Sequence, residues 1–563
     1  MIDQNAQNLL SDATKLKTRK IPGAEVAGMN FPGNANESLS TISGLSDDVL
    51  AMVFQEYYDL MMNPLSTPVR PYSWIRVTHV CHRWRALAIS MAVLWSTFVI
   101  GRPEATRVFF SRSKSAPLAI NVPSSTQDKL ICDVFNAFSR IRDIELNTLF
   151  RDYLPINSRF PKEAPILRRI AIRCDETFSQ SIIVLGHRAL PEHFIPTIFD
   201  RCSLPSLTHL SIEGFTPQWH NHIFAPTLTH LTVRSISKDN HGTGSIFDTL
   251  DKMKNLLLLD LSFHCDSLSW LERHTRQISL PKLGHLALCD STDSCTYLLE
   301  RIDHPPTTTI LIALPKPRPA ASFSTLSPVT FNKLSAKGVP EILTVTLSYE
   351  GMARVRAIPY HLAFWDQVID TEDIPWDEVK PLFHFQSAKT LFVDMLKYGV
   401  SLGPLSQTQV LYIGGLIDAN ADPWELVKES MPNVHTLHID TPGLGVLQRL
   451  LSRDILHKSK WTSQTKPFFP NLRTLILENA NFGYSLDAFL RKGLFHRKLS
   501  GRPIRTLKLL ECRNITSDSL GEFEVDEVDW DRIEDLDTGE SDPEDDGIDY
   551  LHHDLPWSSE EEY

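Results

Sequence analysis

The histidines and cysteines of this chain are the side chains whose spacing could hold a metal ion or a nucleophile. His79, Cys81 and His82 have metal-ligating side chains, but adjacent residues on a helix diverge by about 100°, so they predict no zinc site. Cys289 and Cys295 lack a second pair of ligands and are interpreted as buried thiols. The chain holds no G-x-G-x-x-G, P-loop, H-E-x-x-H or G-x-S-x-G motif. We therefore expect a non-catalytic protein that uses no metal and no cofactor.

The charge of the chain is distributed unevenly, around a net value of −12. Residues 518–563 hold twenty Asp and Glu but a single basic residue, Arg532, whereas the rest carries 55 Lys and Arg against 48 Asp and Glu. No basic stripe interleaved with aromatic residues predicts nucleic-acid binding, and no apolar run approaches the roughly 20 residues that cross a bilayer. The eight cysteines form no C-x-x-C pair, which favours reduced thiols. We therefore expect a protein of the cytoplasm or the nucleus, without nucleic-acid or membrane partners.

Four segments differ in composition and periodicity. Residues 1–40 are predicted to be a disordered N-terminal tail, because they have few aromatic residues and no periodicity. Residues 41–100 are predicted to form a small helical domain, and residues 101–515 a repeat domain. The acidic residues 516–563 are predicted to be a disordered tail. That tail could instead bind a basic protein or fold back onto the mildly basic body of the chain.

Two helical patterns indicate the small helical domain. Ser46 offers an N-cap before two acidic residues, and apolar residues follow with helical spacing up to Tyr57. Prolines then interrupt the chain. A second pattern places five residues on one stripe: Trp74, Val77, Cys81, Trp84 and Ala88. A unit of this size is commonly marginal alone and gains stability by docking against another surface.

The pattern L-x-x-L-x-L recurs from about residue 138 to residue 512, which indicates repeated strand units. Residues 205–212 (PSLTHLSI) return as residues 226–233 (PTLTHLTV). The last two apolar residues of each copy are two apart, so a strand points both to one face. Stacked copies bury a continuous core, and helical patterns such as 444–460 and 486–499 lie between copies. The predicted fold class is α+β or α/β: a small helical domain followed by an irregular leucine-rich-repeat-like solenoid, with parallel strands on the concave side and helices on the convex side.

The residue just before the second leucine of each copy should point away from this core. It is His209, His230, Leu258 and His285 in four successive copies, and the next outward position holds Phe392, Tyr412 and His438 in three later copies. One interpretation is a ladder that stabilises neighbouring strands. The other is a strip that binds a partner protein, because exposed aromatic residues and histidines are good interface anchors. The candidate target-binding strip comprises His209, His230, His285, Phe392, Tyr412 and His438.

Two stretches of the small helical domain resemble the two halves of an F-box. Residues 45–54 (LSDDVLAMVF) are similar to its first helix, whose pattern is Leu-Pro-x-Glu-(apolar)-Leu-x-x-Ile-Phe, with Ser46 in place of the usual proline. Residues 74–88 (WIRVTHVCHRWRALA), with Leu94 and Trp95, resemble its second half. The likeness is strongest to fungal F-box proteins with a Trp-Ile-x-Val-(Thr/Ser)-His-Val-Cys-x-x-Trp-Arg block. The resemblance covers about a tenth of the chain.

The resemblance implies an adaptor function. An F-box binds a Skp-type linker, which attaches it to a cullin scaffold and a RING subunit, while the C-terminal domain captures the protein to be ubiquitinated. Carried over by position, the linker-binding motif comprises Leu45, Ser46, Leu50, Val53, Phe54, Val80, Cys81, Trp84 and Trp95. Trp84 could lie in the core of the F-box or contact the linker directly, and the pattern does not separate the two.

The expected function is therefore the substrate-recognition subunit of a Skp–cullin–F-box ubiquitin ligase, with a protein target that the sequence does not identify. The alternative is a repeat-based protein-binding scaffold whose F-box does not act in a ligase.

Overall fold

The computed structural model describes residues 44–62, 72–123, 128–148, 162–174, 202–214, 217, 219–237, 243–264, 276–314, 323–334, 344–349, 360–365, 368–369, 383–387, 405–414, 427, 429–440, 469–482 and 486–532. The chain divides into two compact units, Met1–Ser90 and Met91–Tyr563. The described part of the first unit is helical, and the second unit is mixed α/β with a large, mostly parallel sheet. The predicted tail 1–40 lies outside the described residues. No helix in the described ranges has the length and apolar character needed to span a membrane.

The described part of the first unit contains helix α1 (Asp47–Met62), a 3-10 helix (Ser73–His79) and helix α2 (His82–Ser90). Leu50, Phe54 and Tyr58 of α1 are four residues apart, so they lie on one face of the helix, and all three are buried. Trp74 is also buried, and its ring meets that of Tyr58 edge-on, with the centroids 5.5 Å apart. This aromatic cluster is the core of the unit.

The second helical pattern of the sequence is divided in the structure. The 3-10 helix ends at His79 and α2 begins at His82, so Val80 and Cys81 lie in the break, where both are exposed. The Cys81 sulfur accepts a hydrogen bond from the Trp84 backbone N–H at 3.4 Å, which places Cys81 at the start of α2. The stripe predicted from Trp74 to Ala88 is therefore not one continuous helix face.

The two units divide between Ser90 and Met91, before the predicted domain end at residue 100. The second unit therefore includes Trp95, which is buried and whose ring lies 5.2 Å from that of Phe109. The guanidinium of Arg112 stacks over the Trp95 ring at 4.3 Å. Trp95 thus packs at the start of the second unit rather than inside the three-helix unit.

The strands of the second unit, in chain order, are β1 (Thr97–Val99), β2 (Leu118–Val122), β3 (Ile141–Thr148), β4 (Arg169–Cys174), β5 (His209–Glu213), β6 (His230–Ser237), β7 (Leu258–His264), β8 (Ile278–Ser279), β9 (His285–Cys289), β10 (Ile302–Asp303), β11 (Thr309–Leu314), β12 (Thr344–Tyr349), β13 (Tyr360–Trp365), β14 (Phe383–Ser387), β15 (Val410–Gly414), β16 (Thr436–Asp440), β17 (Thr474–Glu478), β18 (Thr506–Leu510) and β19 (Glu527–Trp530). Its α-helices with described bounds include α3 (Pro103–Arg112), α4 (Asp128–Phe135), α5 (Thr243–Lys252), α6 (Thr292–Arg301), α7 (Phe323–Leu334), α8 (Leu486–Leu499) and α9 (Ser517–Leu520). The bounds of α8 are those of the predicted pattern 486–499.

Seventeen of these strands form one sheet, and neighbouring strands are mostly consecutive in the sequence. From β1 to β7 and then through β9 to β11, every pairing is parallel, and the same holds from β15 to β19. The short strands β8 and β10 pair separately. This arrangement follows from the L-x-x-L-x-L pattern, because Leu210, Leu231 and Leu259 share one register position and are all buried.

The first leucine of each copy lies in a turn before its strand. The backbone N–H of Leu228 bonds to the carbonyl of Ala225, that of Leu256 to Met253, and that of Leu283 to Leu280. All three leucine side chains are buried. Each fully buried leucine contributes roughly 1.5–3 kcal/mol relative to exposure, so the repeated turns stabilise the unit along with the strands.

Strands β12, β13 and β14 interrupt the regular order as an antiparallel meander. β14 pairs with β11 and β12 pairs with β15, both in parallel, and β13 lies between them, antiparallel to both. Along the sheet the order is thus β11, β14, β13, β12, β15. The chain leaving β11 crosses three strand positions, about 14 Å at the usual strand spacing, before β12 begins.

The prediction that residues 516–563 are a disordered tail is wrong for residues 517–530. They form α9 and β19, and β19 pairs in parallel with β18. The prediction failed because these acidic side chains become ordered without being buried. Several of them pair with basic residues of the preceding helix α8, such as Arg491 and Lys498.

Candidate functional site

Helix α1 carries apolar side chains on two faces. One face forms the core, and the other presents Val49, Met52 and Val53, which are 36%, 61% and 48% exposed, together with Leu60 at 54%. We call these four residues the α1 patch. Exposed apolar residues scattered singly are normal on proteins, whereas a contiguous group indicates an interaction site. The arrangement is therefore that of a helix that packs inward and can also bind outward.

The start of α1 is fixed by polar contacts. The Ser46 hydroxyl accepts a hydrogen bond from the Val49 backbone N–H at 3.4 Å, so Ser46 acts as the predicted N-cap. Arg83 of α2 pairs with Asp47 at 2.7 Å and donates to the carbonyl oxygen of Leu45. These contacts join the beginning of α1 to α2 and hold the segment that precedes the patch.

The predicted linker-binding residues divide into buried and exposed groups. Leu50 and Phe54 are buried, whereas Val53, Val80 and Cys81 are exposed. Trp84 is half-buried, and its ring meets that of Phe54 edge-on with centroids 5.0 Å apart. One side of the Trp84 ring therefore contacts the core and the rest is accessible, and direct contact with a linker stays a prediction.

On the sheet, three of the predicted strip residues share one register position. Arg169, His209, His230, Leu258 and His285 follow one another on neighbouring strands, and we call this line the histidine row. The rings of His209 and His230 stack, with centroids 4.1 Å apart and planes inclined by 9°. All three histidines are half-buried, so the row lies on an accessible face of the sheet.

Threonine hydroxyls fix the orientation of these rings. The Thr208 hydroxyl donates to the carbonyl of Arg168 at 3.3 Å and lies 2.9 Å from Nδ1 of His209. In the same way, the Thr229 hydroxyl donates to the Thr208 carbonyl at 3.1 Å and lies 2.9 Å from Nδ1 of His230. The arrangement occurs a third time: the Thr309 hydroxyl donates to the Gly284 carbonyl at 3.0 Å and lies 2.7 Å from Nδ1 of His285.

These contacts link the tautomer of each ring to the direction of the threonine hydroxyl. A hydroxyl has a single proton, so a threonine that donates it to the backbone carbonyl must accept from the imidazole, and the neutral ring then carries its proton on Nδ1. In that arrangement Nε2 is a hydrogen-bond acceptor at neutral pH and becomes a donor when the ring is protonated.

We expect His209 to titrate below its ordinary pKa of about 6.5. Burial lowers the pKa of His209, and His230 and Arg169 lower it further, against an opposing contribution from Asp143. The unfolded chain takes up this proton near pH 6.5 and the folded chain only at a lower pH. Stability from neutral His209 is therefore present above about pH 6.5 and is lost as the pH falls toward the pKa of the folded state.

Histidine NMR of the full chain labelled with ¹³C and ¹⁵N tests this expectation. At neutral pH the nitrogen shifts of His209 should report a proton on Nδ1, and its titration midpoint should lie below 6.5. His230→Gln removes one repulsive neighbour and should raise the midpoint. A wild-type midpoint at or above 6.5 would contradict the geometry.

Ion pairs form a second row on the face of the sheet that carries the histidine row. Arg173 contacts Glu145 at 2.8 Å and Glu213 at 3.6 Å, and Arg234 contacts Asp260 at 2.7 Å. Exposed pairs of this kind contribute about 0–1 kcal/mol each. They bring charges of both signs close to the histidine row, and such a mixed surface favours a partner with polar and charged side chains over an apolar one.

The later part of the predicted strip is not an exposed strip. His438 is fully buried, so its prediction as a partner-binding residue is wrong. The ring of Tyr412 lies edge-on to it at 4.8 Å, and Nε2 of His438 is 3.0 Å from a carboxylate oxygen of Glu478. Tyr412 is half-buried, and burial raises the pKa of its hydroxyl, with Asp440 and Glu478 adding to the effect. Phe392 lies outside the described residues.

Sequence reasoning missed several members of these surfaces. Arg169 holds the outward position of the weak copy Leu167/Ile170/Ile172, just before Ile170, so the frame that predicted His209 could also have predicted Arg169 beside it. Val49 and Met52 form the α1 patch with Val53, and their spacing of three and four residues was a signal that could have revealed a second apolar face. The repeated Thr-His pair at 208–209 and 229–230 was a signal for the fixed histidines.

The candidate metal and nucleophile residues do not converge. In the part of the chain that the structure describes, no group of three His, Cys, Asp or Glu could hold a metal ion. Cys295 is buried and Cys289 half-buried. Burial raises the pKa of both thiols, which keeps them protonated and poor nucleophiles.

A scan against protein-family models found no match, and a search of the curated proteins found none either.

Proposed function

We propose that this chain is the non-catalytic substrate receptor of a Skp–cullin–F-box ubiquitin ligase, acting in the cytoplasm or the nucleus. The three-helix unit would be a fungal-type F-box that binds a Skp-type linker and, through it, the cullin and RING subunits. The second unit would bind the target protein. The observation that carries the proposal is the α1 patch, which exposes apolar residues on the helix whose sequence resembles an F-box.

The geometry of the first unit supports linker binding in a specific way. Residues of the resembling pattern that must hold a core, Leu50 and Phe54, are buried, and Val53 and Val80 are exposed. An F-box needs both groups, because it must fold and also cover its apolar surface with the linker. Small units of this kind gain stability from such docking.

The sheet of the second unit supports a leucine-rich-repeat-like solenoid as the target-binding domain. Its L-x-x-L-x-L copies lie in register on parallel neighbouring strands, which is how repeat units share a core. The histidine row and the ion-paired line beside it are the face on which a target would be recognised. The catalytic contribution would be proximity, since a bound target is held beside a charged conjugating enzyme that performs the transfer.

Val53→Asp in the full chain is expected to disrupt linker binding without unfolding the protein. A carboxylate in the centre of an apolar interface loses about 2 kcal/mol or more, which is roughly thirtyfold in affinity. The measurement is co-purification of a Skp-type linker and a cullin with the wild-type and variant chains, followed by titration of the linker.

Val368→Asp is the matched control, because it places the same charge at an exposed valine of the second unit. It should bind the linker as the wild type does, and both variants should melt at the wild-type temperature. Absence of linker from the wild-type chain would refute the F-box assignment. Linker without cullin would instead favour a repeat-based scaffold outside a ligase.

A further inference from the structure

The C-terminal end of the sheet is closed by an acidic segment. Residues 517–532, which we call the acidic strap, form α9 and β19 and contain seven Asp and Glu against one basic residue. β19 pairs with β18 on one side, and no other described strand pairs with it. The backbone N–H groups of Asp526 and Glu527 bond to the carbonyl of Arg505 at 2.9 Å, and that of Asp531 bonds to Leu509 at 3.3 Å.

Charge complementarity holds the strap against the body. Glu522 pairs with Arg491 and Glu524 with Lys498, both on α8, and Asp529 lies 3.7 Å from Lys508 of β18. Each acid comes from the strap and each base from the surface beneath it. The edge formed by α8 and β18 is therefore a basic surface beside a strand whose outer backbone groups are paired by an acidic strand.

The strap is held weakly for an element of this sheet. Phe523 is its only fully buried side chain, packed beside Phe482 with centroids 6.2 Å apart and beneath the guanidinium of Arg491. Val528 and Trp530, which point toward the core side, are only half-buried. Exposed ion pairs contribute about 0–1 kcal/mol each and are screened by salt.

Trp530 indicates that the strap is not an optimised cap. Its indole nitrogen is buried but makes no hydrogen bond with the described residues, and such a donor costs about 1–3 kcal/mol. A permanently fixed edge strand would be expected to satisfy this group. An acidic strand without that defect would bind the same edge at least as well.

We propose that the edge formed by α8 and β18 is a binding site for an acidic, extended segment of a partner protein, and that the acidic strap occupies it in cis. The partner strand pairs with β18 through its backbone, places an aromatic side chain where Phe523 lies and presents carboxylates to Arg491, Lys498 and Lys508. This is strand addition at a sheet edge. The strap acts as an internal competitor, because its tether gives it an effective concentration in the millimolar range. This proposal does not depend on the F-box assignment.

The test uses a fluorescein-labelled peptide of residues 516–532 and two forms of the full chain. The first is the wild type, and the second carries Glu522→Gln, Glu524→Gln and Asp529→Asn, which remove the three ion-paired charges of the strap but keep its size. The weakened chain is expected to bind the peptide about tenfold or more tightly than the wild type. Binding should fall in about 0.5 M sodium chloride, where the Debye length is a few ångströms.

Two controls separate strand addition from general attraction between charges. Adding Lys498→Glu and Lys508→Glu to the weakened chain should reduce peptide binding about tenfold or more, whereas adding Lys252→Glu, at the exposed end of α5, should not. A scrambled peptide of the same composition should bind poorly. Equal binding of the scrambled peptide, or no gain in the weakened chain, would overturn the proposal.

Hydrogen exchange reports whether the strap itself is released. The amides of Asp526, Glu527 and Asp531 should exchange faster in the weakened chain than in the wild type, while those of Leu475 and Leu477 in β17 stay protected. Unchanged exchange at the three strap amides would also overturn the proposal, since it would mean that the charges do not hold the strap in place.

Discussion

Trp74→Ala is expected to unfold the three-helix unit while the sheet of the second unit stays folded. Trp74 is 1% exposed and contacts Tyr58 in the aromatic core. Truncation of a buried tryptophan to alanine costs about 3–5 kcal/mol. A unit of this size buries limited surface and has only a few kcal/mol of stability to lose, so the substitution should remove most of its folded population.

Hydrogen exchange measured by mass spectrometry distinguishes the two units. In Trp74→Ala the amides of α1 and α2 should lose their protection, whereas those of β5, β6 and β7 should keep theirs. Trp84→Ala serves as the comparison, because Trp84 is half-buried and contacts the core on one side. This substitution should lower the free energy of unfolding clearly less than Trp74→Ala does. If the two tryptophan variants lose equal protection, the assignment of the core is wrong.

The second large effect is expected from Trp365→Ala, which should open the antiparallel meander. Trp365 is 1% exposed and belongs to a buried cluster with Ala363 and Ile369. It is the largest side chain of that cluster, so its removal leaves a cavity, and the expected loss is about 3–5 kcal/mol. The effect should be concentrated in the meander, because Trp365 and Ala363 belong to β13, which pairs with both β12 and β14.

In Trp365→Ala, faster amide hydrogen exchange is expected only in the meander. Amides of β12, β13 and β14 should become less protected, and those of β16 and β17 should change little, since parts of a fold can open separately from the whole. Val368→Ala changes a nearby residue that is 55% exposed and should leave the melting temperature nearly unchanged. Equal loss of protection throughout the sheet would show that the meander is not a separate cooperative unit.

Local signals in the sequence were sufficient for several elements. The pattern 486–499 predicted α8 with the bounds that the structure has, because an amphipathic spacing needs only neighbouring residues. Ser46 was predicted as an N-cap and accepts the Val49 N–H. The leucines that share a register position, such as Leu210 and Leu231, were predicted to face one way because side chains in a strand alternate.

Elements that depend on distant contacts were not predictable in the same way. His438 occupies a position that the repeat predicts to point outward, but it is buried beside Tyr412 and Glu478. The meander reverses the order of three strands, and no local pattern encodes which strand a segment will pair with. Residues 517–530 have the composition of a disordered tail, and they are ordered through basic residues on α8 and β18.

Short-range spacing was enough to predict a small helical unit, a sheet built from repeated strands and an outward line of histidines. Each of these follows from spacings of two, three or four residues, where chain geometry alone sets the direction of a side chain. Long-range packing fixes which of the outward residues are accessible, where Trp95 packs and what covers the last strand. Those outcomes depend on the packing of segments far apart in the chain, and on pairings of charge such as Asp529 with Lys508 that form only after the sheet has brought them together.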